Sequence, residues 1–200
     1  AVEEERNLAN VAHARAHIVD VGLNEGWYTL VAAQLGASVT SYEVQPGCID
    51  MVSRSVAMNA FQNVTIHNQG AWKQLGSIKV PRGTCSPYQQ ASQSNAQGAQ
   101  LDVPLVTLES SLAAAQLPIT LLKIDAEGSE GPILRGALRL VKEQKVKSIV
   151  LEFVPIFWKK LGVAIDEAKA DLRDTIAAGQ FEAYILPNDF EENGPGLAEA

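Results

Sequence analysis

The first residues suited to chemistry are two acids on either side of a glycine turn. Asp20 ends an apolar stretch, Gly22 and Gly26 frame the turn, and Glu43 ends the next apolar stretch. Glycine lets the backbone approach a ligand closely and adopt positive φ. A helix that starts at such a turn directs free N–H groups and a positive dipole end toward the same place, which suits a carboxylate or a phosphate.

Two nucleotide-type cofactors fit this pattern, and the turn separates them. Dinucleotide folds use Gly-x-Gly-x-x-Gly to seat a pyrophosphate, whereas residues 22–26 read Gly-Leu-Asn-Glu-Gly, with Glu25 placing a like charge near any phosphate. S-adenosylmethionine has no phosphate. Asp20 can accept from its ammonium group directly or through water, the turn amides can meet its carboxylate, and Glu43 can accept both hydrogen bonds of the ribose diol. The alternatives are a turn-capping Asp20 and a solvated Glu43.

A second charged group follows a later apolar stretch. Lys123, Asp125 and Glu127 alternate there, and Glu152 ends the neighbouring stretch, so the acids are placed to converge. Charges at the end of a buried strand are costly unless they are solvated, paired or used. Methyl transfer from a sulfonium needs an aligned nucleophile and removal of its proton, so an acid with a raised pKa suits the base. Asp125 is the first choice for this role and Glu127 the second.

Two other roles stay open for this group. Lys123 and Asp125 can form a structural ion pair while Glu127 caps the following helix. The acids can instead bind a divalent cation, but no histidine ligand or diagnostic spacing accompanies them, and we predict no metal site. The run Asp125-Ala126-Glu127-Gly128 also lacks the Asn/Asp-Pro-Pro-aromatic sequence of amino-directed nucleic-acid methylases, which favours an oxygen nucleophile.

The elements that must position these residues alternate between strands and helices. Short apolar stretches predict strands at 17–22, 38–44, 63–68, 119–125, 147–153 and 181–186. Such alternation predicts an α/β fold, a three-layer sandwich around a mainly parallel sheet. Ligands of open parallel sheets lie outside the carboxyl ends of the strands, where strand order reverses. Trp27 and Tyr28, at the start of the first helix after the turn, are predicted to pack in the core.

The chain of 200 residues is predicted to form one domain. Its cofactor-binding half spans 17–75, and its second half spans 105–186. Between them, 76–104 is a loop excursion in which two short extended pieces flank a Ser/Gln/Asn/Gly-rich segment. A helix at 2–14 is predicted to enter the domain, and 187–200 to form a flexible tail.

Composition excludes some function classes. The net charge of −7 disfavours a nucleic-acid or anionic-membrane surface, and no apolar run reaches the length of a membrane span. The chain starts without methionine and shows no signal peptide, so native N-terminal residues are expected to precede it and a cytoplasmic location is favoured. Cys48 and Cys85 form no metal-spaced motif, which predicts unpaired thiols in a reducing compartment.

These motifs together resemble the FkbM family of S-adenosylmethionine-dependent methyltransferases. The matching segments occur in family order at 19–46, 63–72, 103–112, 121–137 and 149–153. The Lys-Ile-Asp-x-Glu-Gly-x-Glu run that starts at Lys123 is the most specific of them. The resemblance implies a class I methyltransferase (Rossmann-like) fold with S-adenosyl-L-methionine as cofactor, acting on hydroxyl groups of sugars, macrolides or other small metabolites.

The resemblance also implies roles for individual residues. The methionine end of the cofactor is expected at Asp20, Gly22, Asn24 and Gly26, and the ribose at Glu43. The adenine is expected at Ala71 and its neighbours, where Trp72 is a candidate flanking ring. The charged motif of the family corresponds to Lys123, Asp125, Glu127 and Glu130, with Lys123, Asp125 and Glu127 as the catalytic candidates.

The function predicted from the sequence is S-adenosylmethionine-dependent O-methylation of a small-molecule or saccharide hydroxyl. One alternative is a methyltransferase-like binding module that keeps the cofactor cleft and lacks turnover. A nicotinamide-dependent oxidoreductase is a weaker alternative. No nucleic-acid partner is predicted, and the sequence gives no indication of the oligomeric state.

Overall fold

The structure is a computed structural model that describes residues 16–83, 85, 100–115 and 118–186. Along the chain, its elements are β1 (His17–Val21), α1 (Trp27–Gln34), β2 (Ser38–Tyr42), α2 (Pro46–Met58), β3 (Val64–His67), β4 (Gly70–Ala71), β5 (Gly76–Pro81), β6 (Gln100–Val106), α3 (Leu108–Ser111), β7 (Leu121–Ile124), α4 (Glu130–Lys142), β8 (Ile149–Leu151), α5 (Pro155–Lys160) and α6 (Ile165–Gly179). The predicted helix at 2–14, the polar segment at 86–99 and the tail at 187–200 lie outside the described residues.

The central sheet has five strands in the order β3-β2-β1-β7-β8, and every pair in it is parallel. The α/β fold with a mainly parallel sheet is therefore confirmed. Strands β1 and β7 are almost wholly buried, as expected when helices cover both faces of a parallel sheet. Strand order reverses between β1 and β7, so the crevice predicted for ligands lies at their carboxyl ends.

Helix α1 packs against the sheet through small side chains. Thr29 and Ala33 are its buried residues, one turn apart, whereas Trp27 is 75% exposed and Tyr28 40% exposed. Thr29 Oγ1 donates to Asp20 at 2.7 Å, which holds the helix close to β1. The prediction that Trp27 and Tyr28 pack in the core is wrong, because the side of the helix that carries Thr29 faces the strands and Trp27 lies on the opposite side.

The excursion contributes β5 and most of β6 to a second, smaller sheet in the order β4-β6-β5. Strands β5 and β6 pair antiparallel, with Gly76 opposite Leu105 and Pro81 opposite Gln100. These strands are the two extended pieces predicted around the polar segment. Gly70 and Ala71 of β4 pair in parallel with the end of β6, which joins the small sheet to the end of the first half of the domain.

A disulfide bond between Cys48 and Cys85 joins α2 to the chain just beyond β5. The prediction of unpaired thiols is therefore wrong. The two residues are 37 positions apart and share no local motif, so only the folded arrangement of α2 and the small sheet brings them together. Disulfides persist mainly in oxidising compartments, so this bond weighs against the favoured cytoplasmic location, which stays a prediction.

Removal of this bond by Cys85→Ser is expected to lower the free energy of unfolding by about 2–4 kcal/mol. The reason is that the 37-residue loop is no longer closed in the unfolded chain. Urea denaturation of the wild type and the variant, each with and without reductant, measures the difference. Reductant should lower the wild-type midpoint to that of the variant and leave the variant unchanged; a wild-type midpoint that is insensitive to reductant contradicts the assignment.

The last predicted strand, at 181–186, is absent and its prediction is wrong. Residues 181–186 have no regular secondary structure. Phe181 contacts the core, but Tyr184, Ile185 and Leu186 are 77–85% exposed. The apolar stretch has strand character without a partner, since no described strand lies beyond β8. Among the residues that the structure describes, no helix is both long and apolar enough to cross a membrane.

Candidate active site

The glycine turn lies directly against the chain that leaves β7. Gly22 has φ +80°, and a Cβ on it would lie 1.8 Å from the backbone oxygen of Asp125. Only glycine fits there, because both the positive φ and the missing side chain are required. The turn that was expected to bind a cofactor and the loop that carries the acids are thus in contact at the reversal of strand order.

The far end of the turn is fixed by a second glycine. Gly26 has φ +82°, and a Cβ there would approach both methyl groups of Val52 in α2 to 2.8 Å. Asn24 also has positive φ, at 47°. This tight path lets α1 start immediately after the turn, so its free N–H groups lie at the crevice.

Asp20 and Lys123 form a buried ion pair beneath the turn. The Nζ of Lys123 is 3.1 Å from Oδ1 of Asp20 and 3.8 Å from Oδ2 of Asp125, and it donates a hydrogen bond to the Gly22 carbonyl at 2.6 Å. Asp20 is fully buried, and Lys123 is 5% exposed. Burial raises the pKa of Asp20, and the charge of Lys123 opposes that shift. The structural ion pair left open for Lys123 is present, and it extends to Asp20.

Glu43 ties the end of β2 to the glycine turn. Its Oε2 accepts from the Asn24 N–H at 2.9 Å, and its Oε1 accepts from the Val44 and Gln45 N–H groups at 2.8 Å. A carboxylate offers about four lone-pair positions. One position therefore remains on Oε2, enough for a single ribose hydroxyl rather than for both.

The residues predicted at the adenine lie at the join between the two sheets. Ala71 is 6% exposed in β4, and the Trp72 N–H donates to the Val106 carbonyl at 2.8 Å. The side chain of Trp72 packs against the cluster that contains Trp158 and Val163. Contact of Ala71 and Trp72 with an adenine stays a prediction.

Three carboxylates converge at the carboxyl ends of β7 and β8. Asp125, Glu127 and Glu152 each offer an oxygen, and these atoms lie within 4.8 Å of one another. The side chain of Asp125 is 47% exposed, whereas Oε2 of Glu152 is buried with no hydrogen-bond partner among the described residues. The spacing is short enough for one cation to touch all three, and the absence of a metal stays a prediction.

Glu152 has the most strongly shifted pKa of these three acids. Burial first, and then the negative charges of Asp125, Glu127 and Glu130, raises its pKa to about 7. Burial, together with Asp125 and Glu130, also raises the pKa of Glu127, and Lys160 opposes that shift. The sequence signal for Glu152 was an acid at the end of a neighbouring strand. Its pKa, which depends on burial and on neighbours from another strand, was not visible there.

A parallel sheet with a glycine turn and an acid cluster at its reversal of strand order is the arrangement of a Rossmann-like methyltransferase domain. Residues 20–182 match the Methyltransferase FkbM domain. The chain belongs to the FkbM methyltransferase family, as its motifs indicated. No curated protein matches it.

A solved structure supports the fold. The chain is similar to the crystal structure of methyltransferase FkbM from Methylobacillus flagellatus KT, with a TM-score of 0.54 and 17% sequence identity. The likeness covers 80% of this chain and 37% of that chain. The chain therefore spans little more than a third of the length of that structure, and the likeness shows a shared fold.

Proposed function

We propose that the protein transfers a methyl group from S-adenosylmethionine to a hydroxyl group of a small molecule or saccharide. One observation carries this proposal. The glycine turn (22–26) contacts the acid loop (125–129, between β7 and α4), where Gly22 touches the backbone of Asp125. Because the turn lies against the backbone that carries the carboxylates, a methyl donor at the turn and an acceptor at the carboxylates would be within reach of each other. Such positioning supplies much of the catalysis of an in-line displacement.

The cofactor would be held mainly by backbone. The N–H groups at the start of α1 suit the carboxylate of its methionine end, because those of Gly22, Leu23, Asn24 and Gly26 in the turn already donate to protein acceptors. Glu43 has one lone pair left for a ribose hydroxyl. Asp20 supports this site indirectly, because Lys123 links its carboxylate to the Gly22 carbonyl. When bound, the cofactor supplies a methyl group that its sulfonium already activates.

Glu152 is the proposed general base. A carboxyl group with a pKa of about 7 is half ionised near neutral pH, where it accepts a proton most effectively. Glu152 would take the proton of the acceptor hydroxyl, while the bound cofactor would supply the methyl group, lose its methyl–sulfur bond and leave as S-adenosylhomocysteine. Asp125 and Glu127 are placed to orient acceptor hydroxyls, and the three carboxylates together disfavour phosphorylated acceptors. This assignment moves the base from Asp125, the first choice from the sequence.

The silent binding module remains the second candidate, since protein groups already occupy Asp20 and most of Glu43. Calorimetric titration with S-adenosylmethionine, S-adenosylhomocysteine and NAD tests the cofactor. Transfer of labelled methyl to a panel of hydroxyl compounds tests turnover. Binding of NAD in preference to both adenosyl compounds would end the proposal; adenosyl binding without transfer to any hydroxyl compound would favour the silent module.

Glu43→Gln should weaken binding of S-adenosylhomocysteine by about 1–3 kcal/mol. The amide keeps the size of the side chain but turns an NH₂ group toward backbone N–H donors, which disturbs the turn at Asn24 or the chain at Val44. Titration calorimetry measures the change. Glu25→Gln in the same turn is the control and should not weaken binding, because the described residues include no hydrogen bond from the exposed Glu25 side chain to the turn. Equal affinities of the Glu43 variant and the wild type would remove Glu43 from the cofactor site.

A further inference from the structure

Glu130 holds two residues of the acid loop together and links this loop to α5. It is the first residue of α4 and is 2% exposed. Its Oε1 accepts from the backbone N–H groups of Ala126 and Gly128, each at 3.1 Å. These two amides flank Glu127, whose backbone has φ +52°. The carboxylate of Glu130 therefore holds the loop in the shape that presents Asp125 and Glu127.

The other oxygen of Glu130 reaches α5. Oε2 accepts from the indole N–H of Trp158 at 2.6 Å, and Trp158 is 1% exposed. The loop also touches α5 through its backbone, because a Cβ on Gly128 would lie 2.6 Å from the backbone carbonyl of Phe157. Helix α5 begins at Pro155, three residues after Glu152. Movement of α5 would thus displace Glu152 relative to the loop.

We propose that Glu130 and Trp158 form a positioning pair that fixes Glu152 against Asp125 and Glu127. Glu130 touches none of the reacting groups in this assignment; it acts through the loop and through α5. The expected effect of this pair on turnover rests on the proposed methyl transfer. Its structural role rests only on the hydrogen bonds by which the buried Glu130 carboxylate joins the acid loop to α5.

The chemistry of Glu130 explains why an amide cannot replace it. Both of its oxygens face N–H donors, two in the loop and one on the indole. Glutamine has one acceptor oxygen and one NH₂ group, so one side must place donor against donor. In one orientation the two loop amides lose their acceptor, and in the other the NH₂ group meets the indole N–H of Trp158, so the variant side chain populates both orientations. Trp158→Phe removes that indole donor and keeps an aromatic ring beside Phe153.

The test is a cycle of Glu130→Gln, Trp158→Phe and the double variant. We expect kcat to fall about 30-fold in Glu130→Gln and about threefold in Trp158→Phe, with KM for S-adenosylmethionine changed less than about threefold. The double variant should be about fivefold faster than Glu130→Gln. Trp158→Phe leaves the charge unchanged, so this recovery cannot come from electrostatics. A double variant equal to or slower than Glu130→Gln overturns the pair.

Amide hydrogen exchange separates this inference from the proposed function. Glu130→Gln should speed exchange at Ala126 and Gly128 by about tenfold, and the double variant should recover most of the protection. If the wild type transfers no methyl group, the proposed function fails while the exchange cycle still tests the pair. Unchanged exchange at both amides in Glu130→Gln overturns the inference. If Glu130→Gln does not fold, Trp158→Phe alone must lower kcat and loosen Gly128, or the inference is wrong.

Discussion

Glu152→Gln is expected to lower kcat for methyl transfer by about 100-fold or more while affinity for S-adenosylmethionine changes less than twofold. The amide keeps the shape of the side chain but cannot take the proton of the acceptor hydroxyl. Because Glu152 follows β8, which pairs with β7 and not with β1 or β2, we expect the glycine turn and Glu43 to be left intact. Single-turnover kinetics and calorimetry measure the two quantities.

The pH profile gives the same prediction an independent measurement. Wild-type kcat should rise as pH increases through about 7, because Glu152 must lose its proton before it can act as a base. The pKa of Glu152 in the folded state is about 7, above its ordinary value of 4.5. Between these two pH values, the folded state therefore keeps a proton that the unfolded chain has released. The stability that this proton contributes is lost as pH rises from about 4.5 to about 7.

This loss predicts that Glu152→Gln is at least as stable as the wild type above pH 7, where the wild type carries a partly buried charge. An inactive variant with undiminished stability separates catalysis from folding. Asp125→Asn and Glu127→Gln are the controls, and each should retain more activity than Glu152→Gln. If Asp125→Asn abolishes turnover and Glu152→Gln does not, Asp125 is the base.

The sheet and the meeting of the candidate site residues at one edge of it were predictable because their signals are local. Apolar stretches that end on acids mark the carboxyl ends of parallel strands, and those ends meet at one edge whatever the details of packing. Asp20 and Asp125 could therefore be assigned to a common edge from the chain alone. Gly22 could be assigned to a tight turn because few other roles require glycine after a buried strand.

The state of each side chain was not predictable, because partners from distant segments decide it. The catalytic role of Lys123 stays a prediction, but its contacts with the Gly22 carbonyl and Asp20 could not be read from the sequence. Glu43 reads as free for a diol until its backbone donors are counted. Cys48 reads as an unpaired thiol because no periodicity connects it with Cys85. Each of these outcomes depends on tertiary contacts that have no period in the sequence.

The largest expected effect on stability comes from Gly22→Ala. A Cβ at this position would lie 1.8 Å from the Asp125 carbonyl oxygen, which is backbone and cannot rotate away. The residue also has φ +80°, which costs an L-residue about 1–2 kcal/mol. With the displacement of the β1 turn from the chain after β7 added, we expect a loss of about 3–5 kcal/mol in the free energy of unfolding. Urea denaturation measures this loss.

Gly36→Ala is the matched control for the cost of a positive φ. Gly36 has φ +85°, close to that of Gly22, but a Cβ there would meet nothing within 4 Å. Its substitution should cost only about 1–2 kcal/mol, so the excess in Gly22→Ala isolates the contact with Asp125. The folded fraction of Gly22→Ala should also bind S-adenosylhomocysteine more weakly, whereas Gly36→Ala should bind it normally. Equal losses of stability in the two variants would mean that the turn and the acid loop do not touch, and the proposed meeting of cofactor and acceptor would lose its structural basis.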